Sequence, residues 1–274
     1  MESRQAADYR YRMRMAVFFF LLVIAAAARA ETVTFTGGGG TILKAVLFRP
    51  EAAPVAPAVV ALHGCGGPYP LRDHDWARRL AAAGHIVLLP DSFGSRGLGS
   101  QCRETRWVAS AGGLRRDDAL AAARWLTAQP GTPAGGVVIM GWSNGGSTTL
   151  ATAQARNDVP PGLIRGFVAF YPGCRWSAIA ASGPPILLLI GEADEWSPVE
   201  ACRALARRVG ARITLVTYPG AYHDFDAPGA VRVLHGIPGS QNPDFSVHVG
   251  ENPAARADAL ARVPAFLLAL PEVK

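Results

Sequence analysis

Five continuous apolar runs of strand length constrain the fold of this 274-residue chain more than any other feature. These runs are Ala58–Leu62, Ile86–Leu89, Val137–Met140, Phe167–Phe170 and Ile186–Ile190. A strand that is covered on both faces needs apolar side chains pointing both ways, as do the parallel strands of a sheet flanked by helices. Segments with helical spacing separate the runs. The pattern therefore predicts an α/β protein with a mostly parallel sheet.

Further elements surround these five strands. A hairpin is predicted before them, because Thr32–Thr36 and Ile42–Phe48 alternate in polarity around a glycine turn. Ile213–Tyr218 reads as an edge-side strand. The predicted helices are Trp76–Ala83, Asp117–Ala128, Gly145–Ala155, Pro198–Val209 and Ala254–Leu270. Pro264 is expected to kink or split the last of these.

The domain organisation follows from what separates these elements. No repeat or linker divides the chain after residue 30, so residues 31–274 are predicted to form a single domain. Residues 226–252 are rich in glycine and proline and show little periodicity, which indicates a long surface excursion. Such a loop is either functional or a tolerated insertion.

The N-terminus resembles a signal peptide. Arg10, Arg12 and Arg14 precede an uncharged stretch, Met15–Ala28, and Ala30 completes a small-residue cleavage pattern. The alternative is a transmembrane anchor, but fourteen helical residues rise only about 21 Å, against roughly 30 Å for a bilayer core. We therefore expect residues 1–30 to be removed, leaving no stable membrane anchor and a periplasmic or secreted protein.

Charge and cysteine content narrow the class further. The formal net charge is +6, and half of it comes from the first thirty residues. No cluster of lysine or arginine interleaved with aromatics follows, which argues against nucleic-acid binding. Four cysteines in an exported chain favour two disulfides. Paired CxxC units are missing, so zinc binding is disfavoured and no metal is expected.

The strongest catalytic signal is Gly141-Trp142-Ser143-Asn144-Gly145. It stands between a predicted strand and a predicted helix, the context in which a G-x-S-x-G serine forms a nucleophile elbow. Glycines are needed there because the turn brings strand and helix close together. Ser143 is therefore predicted to be the nucleophile.

A serine hydroxyl needs an imidazole to take its proton and an acid to orient that imidazole. In chains with this elbow the order is serine, acid, histidine. His223 follows the strand Ile213–Tyr218 and is the predicted base, whereas His235 and His248 fall within the excursion. Three carboxylates follow the strand Ile186–Ile190, and on chemistry alone the acid could be Glu192, Asp194 or Glu195.

His63-Gly64-Cys65-Gly66-Gly67 directly follows the first buried strand. Glycines allow backbone N–H groups to approach a developing oxyanion. The predicted donors are the N–H groups of Cys65 and Asn144. His63 is expected to brace the turn, and the thiol of Cys65 to form a disulfide rather than act as a second nucleophile.

These segments together resemble the dienelactone hydrolase family. The resemblance rests on residues 62–67, 90–97, 141–145, 191–198 and 222–225, and spans nearly all of residues 40–270. It implies an α/β-hydrolase fold of about eight strands flanked by helices, no cofactor, and Asp194 as the acid. In the strand order of that fold, neighbouring loops would pair Cys65 with Cys102 and Cys174 with Cys202.

The sequence departs from the family pattern in two ways. Dienelactone hydrolases proper use a cysteine nucleophile, where this chain has Ser143. They also carry an arginine shortly after the catalytic histidine to hold a substrate carboxylate, and residues 225–228 offer none. Arg96 corresponds either to another site-facing arginine or to a structural one. Substrate-pocket candidates besides Arg96 are Trp142, Trp196 and Tyr222, with Phe225 also flanking the site.

The predicted function is hydrolysis of carboxylic esters or lactones of small molecules through an acyl-enzyme on Ser143. Two alternatives remain open. The same triad supports peptidases and acyltransferases, and an exported accessory protein could keep the fold without catalysis. The sequence leaves the oligomeric state undetermined.

Overall fold

The computed structural model describes residues 29–271 except 155, 157 and 176. The predicted signal peptide lies outside the described residues up to position 28. Its last two residues, Arg29 and Ala30, form the beginning of the first strand.

Eight strands form one sheet, in the order β1-β2-β4-β3-β5-β6-β7-β8. β1 pairs antiparallel with β2 and β2 with β4, and every pair from β4 to β8 is parallel. The strands are β1 (Arg29–Thr36), β2 (Ile42–Arg49), β3 (Ala58–Leu62), β4 (Val87–Asp91), β5 (Val137–Trp142), β6 (Ile164–Phe170), β7 (Ile186–Gly191) and β8 (Ile213–Tyr218). This confirms the predicted mostly parallel sheet and its N-terminal hairpin.

In the described part of the chain, five α-helices flank the sheet: α1 (Pro70–Ala82), α2 (Leu114–Thr127), α3 (Asn144–Thr152), α4 (Val199–Val209) and α5 (Pro253–Ala269). α1 packs against β4, α3 against β5 and β6, and α4 against β8. All residues of β3, β5, β6 and β7 are buried. Four of the five continuous apolar runs thus correspond to strands covered on both faces, as the sequence predicted, and β4 is partly exposed.

The strand order reverses beside β3. The chain moves from β3 outward to β4 and then returns to place β5 on the other side of β3. In open α/β sheets, the loops that leave the carboxyl ends of strands diverge at such a point and leave a crevice between them. The glycine-rich residues after β3 and the Ser143 turn after β5 both lie at this crevice.

The excursion at residues 226–252 contains a small antiparallel ribbon of β9 (Arg232–Leu234) and β10 (Val247–Val249). Val249 forms an isolated bridge with His223. Ile237, Val247 and Val249 make a small separate core, and Trp196 packs against it. The ribbon therefore attaches to the same edge of the sheet that carries the predicted site.

Two helix predictions need correction. α1 begins at Pro70, six residues before the predicted start, because Arg72 and Asp73 are buried as an ion pair that the apolar pattern does not reveal. α5 runs through Pro264 without a break. Its buried face, which includes Val263 and Leu267, offsets the missing hydrogen bond.

Two disulfides are present, with the pairing implied by the resemblance: Cys65–Cys102 and Cys174–Cys202. Both join a loop after one strand to a segment that follows the next strand in the chain. Within the described residues, no helix has the length and apolar character needed to cross a membrane.

Neighbouring leucines on α5 test how this helix packs. Leu267 is 1% exposed and Leu268 is 72% exposed. We expect Leu267→Ala to lower the free energy of unfolding by about 2–5 kcal/mol, because it leaves a cavity. Leu268→Ala should change it by less than about 0.5 kcal/mol. Urea denaturation measures both, and equal losses would contradict the described packing of α5.

Candidate active site

The sharp turn between β5 and α3 presents Ser143 at the carboxyl end of the sheet. Ser143 has a φ of 53° and a ψ of −114°, angles that residues with a side chain rarely adopt. Its N–H donates to the Phe170 carbonyl at 2.9 Å. A Cβ at Gly145 would lie 2.0 Å from the carbonyl oxygen of Leu62, and one at Gly141 would lie 2.4 Å from the Gly145 backbone. Only glycine fits at these two positions.

Ser143, His223 and Asp194 form a continuous hydrogen-bonded chain. The Oγ of Ser143 lies 2.9 Å from Nε2 of His223, and Nδ1 of His223 lies 2.7 Å from Oδ2 of Asp194. The three residues follow β5, β8 and β7, whose carboxyl ends share one edge of the sheet. The geometry allows the imidazole to take a proton from the serine while the carboxylate holds the ring.

The geometry separates the three competing carboxylates. Asp194 contacts His223, and its other oxygen accepts two backbone N–H groups of its own turn at 2.9 and 2.8 Å. Glu192 accepts from a threonine of β8 on the exposed side of the strand. Glu195 contacts His248 of the excursion. Of the three, Asp194 alone contacts His223.

The protonation of His223 depends on opposing effects. Burial disfavours the imidazolium, but the charge and the hydrogen bond of Asp194 outweigh it, and Asp224 acts in the same direction. The net result raises the pKa of His223 above its ordinary value of 6.5. A raised pKa means that the ring holds its proton to higher pH.

The loop after β3, residues 63–67, is called here the glycine loop, and it faces Ser143 across the crevice. A Cβ on Gly64 would lie 3.6 Å from the Cβ of Ser143. In the described backbone, the N–H of Cys65 donates to no carbonyl. Asn144 is the first residue of α3, so its N–H has no partner within the helix. Both N–H groups that the sequence singled out therefore flank Ser143 and are available to a ligand.

A cleft of about 230 Å³ opens over Ser143. One wall is the glycine loop with Cys102, and the opposite wall is Trp196 with the excursion. The remaining lining residues are Pro68, Tyr69, Arg72, Ser143, His223 and Asp224. The excursion, which the sequence left as either functional or tolerated, thus contributes Arg232 and Leu234 to the cleft.

Three of the four predicted pocket residues do not line this cleft. Arg96 binds both oxygens of Asp118 at 2.8 Å and is not among the residues that line the cleft. Trp142 is fully buried, and its indole N–H donates to Asp226 at 2.8 Å. Tyr222 stacks on His248 at 4.8 Å. Trp196 does line the cleft, with its ring 4.9 Å from that of His223.

A buried polar cluster beneath the site was not predicted from the sequence. Oδ2 of Asp226 accepts from the indole N–H groups of Trp76 and Trp142 at 2.7 and 2.8 Å, and its Oδ1 accepts from the Tyr171 hydroxyl at 2.6 Å. Burial raises the pKa of Asp226, and the nearby cation of Arg72 opposes that rise. The only sequence signal was its place three residues after His223.

Arg72 joins this cluster to the cleft. Its guanidinium pairs with Asp73 and Asp224, each at 2.9 Å, and lies 4.6 Å from the Trp142 ring centroid. The residue is 3% exposed and lines the cleft from the first turn of α1. Because two carboxylates neutralise it, Arg72 acts here as a fixed part of the site wall.

No group of three metal-ligating side chains is assembled anywhere in the described part of the chain.

The sheet order, the serine turn and the Ser143–His223–Asp194 chain define the protein as an α/β-hydrolase. A model of the dienelactone hydrolase family matches residues 43–270. The chain belongs to the dienelactone hydrolase family, and it is a hydrolase that acts on ester bonds.

Solved structures with the same fold have low sequence identity to this chain. An esterase from Pyrobaculum calidifontis has a TM-score of 0.65 at 21% identity, over 90% of this chain and 88% of that one. Thermogutta terrifontis esterase 2, phosphoramylated by tabun, has a TM-score of 0.65 at 20% identity, over 87% and 94%. A candidate dienelactone hydrolase from Klebsiella pneumoniae has a TM-score of 0.63 at 21% identity, over 89% and 100%.

The three donors on Asp226 generate a stability prediction. Asp226→Ala should lower the free energy of unfolding by about 3 kcal/mol or more, because buried donors without partners cost roughly 1–3 kcal/mol each. Asp226→Asn should lose less, because it keeps one acceptor oxygen.

Asp258 provides the matched control. It also accepts from a tyrosine hydroxyl, that of Tyr218 at 2.7 Å, but its side chain is 39% exposed. We expect Asp258→Ala to cost about 1 kcal/mol or less. Thermal or urea unfolding measures all three variants, and equal losses for the two alanine variants would contradict the role assigned to the buried cluster.

Proposed function

We propose that the protein cleaves carboxylic esters or lactones of small molecules through an acyl-enzyme on Ser143. The observation that carries the proposal is the continuous chain from Ser143 Oγ to His223 to Asp194, at 2.9 and 2.7 Å. A hydroxyl hydrogen-bonded to an imidazole that a carboxylate orients is the arrangement that activates a serine at neutral pH.

The steps follow from the positions of the groups. Ser143 Oγ attacks the acyl carbon while His223 Nε2 takes its proton, and Asp194 stabilises the imidazolium. The N–H groups of Cys65 and Asn144 hold the oxyanion of the tetrahedral intermediate. His223 returns the proton to the leaving alcohol, and a water molecule then repeats the sequence on the acyl-enzyme.

The cleft size favours small acyl groups. Its volume of about 230 Å³ lies below the range of roughly 300–1,000 Å³ common for ligand pockets. Trp196 and Leu234 give it an apolar side, on which a short acyl chain would pack. We therefore propose short-chain esters as the preferred substrates.

We also propose that the protein works outside the cytoplasm. The signal-peptide pattern of residues 1–30 and the two disulfides support this together, because disulfides persist in oxidising compartments. Mass spectrometry of the exported protein after alkylation tests it, and four alkylated cysteines would contradict it.

The test of the reaction is hydrolysis of p-nitrophenyl esters from acetate to octanoate. We expect turnover that declines beyond short acyl chains, and Ser143→Ala should lower kcat by about 10⁶-fold. A fluorophosphonate should label Ser143, as identified by peptide mass spectrometry. The related T. terrifontis esterase 2 has been phosphorylated by paraoxon, which supports organophosphorus labelling as the probe. Absence of both turnover and labelling would favour the accessory-protein alternative.

The raised pKa of His223 predicts the pH dependence. The base must be unprotonated in the free enzyme, so kcat/KM should rise with pH and reach half its plateau above pH 6.5.

Asp194→Asn should lower kcat by about 10⁴-fold, because the imidazole of His223 loses the carboxylate that orients it. Glu195→Gln is the control, because this neighbouring carboxylate contacts His248 instead. A wild-type midpoint below pH 6.5, or equal losses in the two variants, would contradict the assignment.

A further inference from the structure

A single arginine contacts both segments that flank Ser143. Arg115 lies in the first turn of α2 and is 1% exposed. Its Nη2 donates to the carbonyl oxygen of His63 at 2.6 Å, and its Nη1 donates to the side-chain Oδ1 of Asn144. His63 begins the glycine loop after β3, and Asn144 begins α3 after the serine turn. The guanidinium therefore connects the glycine loop with the beginning of α3.

Arg115 differs from the two other arginines that are at most 3% exposed. Arg72 and Arg116 each pair with a carboxylate, at 2.9 and 2.6 Å. The ion pairs of the described residues include none for Arg115, and its Nε is buried without a hydrogen-bond partner. A buried cation without a direct counter-ion weakens a fold more than it supports it. The position of Arg115 therefore calls for an explanation other than stability.

Arg115 holds the His63 backbone, and the side chain of His63 in turn fixes the peptide that carries the Cys65 N–H. Nδ1 of His63 donates to the Gly64 carbonyl at 2.8 Å, and its Nε2 accepts from the Ser92 N–H at 3.1 Å. The Gly64 carbonyl and the Cys65 N–H belong to one planar trans peptide, so they point in opposite directions. Fixing that carbonyl toward His63 therefore aims the Cys65 N–H at the crevice.

The guanidinium of Arg115 also holds the residue that carries the second proposed oxyanion donor, Asn144. Arg115 binds the Asn144 side chain, and the N–H of Asn144 is the donor adjacent to Ser143. Burial lowers the pKa of Arg115 to about 9, against the opposing charges of Asp118, Asp91 and Asp73. The side chain is thus a cation at neutral pH, stacked 4.9 Å from the Phe93 ring. Positive charge behind both donors favours the anion that forms between them.

We propose that Arg115 is the positioning residue of the oxyanion hole: it sets the spacing and direction of the Cys65 and Asn144 N–H groups. This inference rests on the proposed acyl-enzyme function. Arg115 does not touch the substrate, and its effect reaches the reaction through His63 and Asn144.

The test compares Arg115→Met with Arg116→Met. Arg116 is the next residue of α2, is equally buried, and contacts the Ala151 carbonyl and Asp158 instead. For p-nitrophenyl acetate we expect Arg115→Met to lower kcat by about 10²-fold, the loss typical of one missing oxyanion donor. KM should change by less than about 3-fold. Arg116→Met should lower Tm while keeping kcat within about 3-fold of wild type.

An inhibitor separates oxyanion binding from general loss of structure. A trifluoromethyl ketone forms an oxyanion adduct with an active serine, so its Ki should rise in Arg115→Met in proportion to the fall in kcat/KM. Arg115→Lys should lie between wild type and Arg115→Met, because an ammonium group keeps the charge but reaches only one of the two segments. If Arg115→Met does not fold, the lysine variant carries the same comparison.

The outcomes are distinguishable. A folded Arg115→Met or Arg115→Lys variant with wild-type kcat and Ki would overturn this inference, as would an equal fall in kcat for Arg116→Met. In either case an active wild type with an inactive Ser143→Ala variant would leave the proposed function intact. A wild type that neither turns over esters nor reacts with fluorophosphonate would overturn both proposals.

Discussion

The contact between α3 and β3 at Gly145 is the constraint on which the site depends. A methyl group there would meet the Leu62 carbonyl oxygen at 2.0 Å, so the helix can approach the strand only with glycine at this position. The close approach turns the chain sharply at Ser143 and brings α3 next to the glycine loop. Without it, the serine would point away from His223 and the two backbone donors would lie on separated segments.

The buried charged side chains around Ser143 are compensated by opposite charges or by hydrogen-bond donors. The side chains of His223 and Asp194 are 2% and 0% exposed, so the attraction between them acts in a medium of low polarity. Below them, Arg72 compensates part of the charge of Asp73, Asp224 and Asp226. Tryptophan and tyrosine donors satisfy Asp226. These buried polar contacts lie beneath the cleft and hold in place the side chains that a reaction at Ser143 would use.

The main features of the fold and the candidate triad could be predicted from local pattern. A buried parallel strand needs apolar residues on both faces, and that requirement is visible in a run such as Ile186–Ile190. Candidate triad residues stand where such strands end, so Ser143, Asp194 and His223 could be placed at one edge of the sheet. The resemblance then chose among three adjacent carboxylates that chemistry alone could not separate.

What could not be predicted depends on pairs distant in sequence. Arg72 and Arg115 look like surface residues of a helix, because burial of a charged side chain is recognisable only once the groups that it contacts are placed. Trp142 looked like a pocket residue because its partner, Asp226, lies 84 positions away. The predicted start of α1 is late for another reason: the adjacent charges of Arg72 and Asp73 indicate a surface segment, yet both residues are buried. Patterns of polarity describe single residues, whereas burial of a charge depends on the groups that surround it in the fold.

The two disulfides divide the chain into covalent rings. Cys65–Cys102 spans 37 positions and encloses α1 and β4, and Cys174–Cys202 spans 28 positions and encloses β7 with Asp194. In the chain-entropy description each ring raises the free energy of the unfolded chain by roughly 3.5–4 kcal/mol, because it removes conformational entropy from that state. The rings also change what a protease can do. A single cut anywhere between residues 66 and 101, or between 175 and 201, leaves the two pieces joined as one molecule, so the glycine loop and the acid of the triad remain attached to a nicked protein.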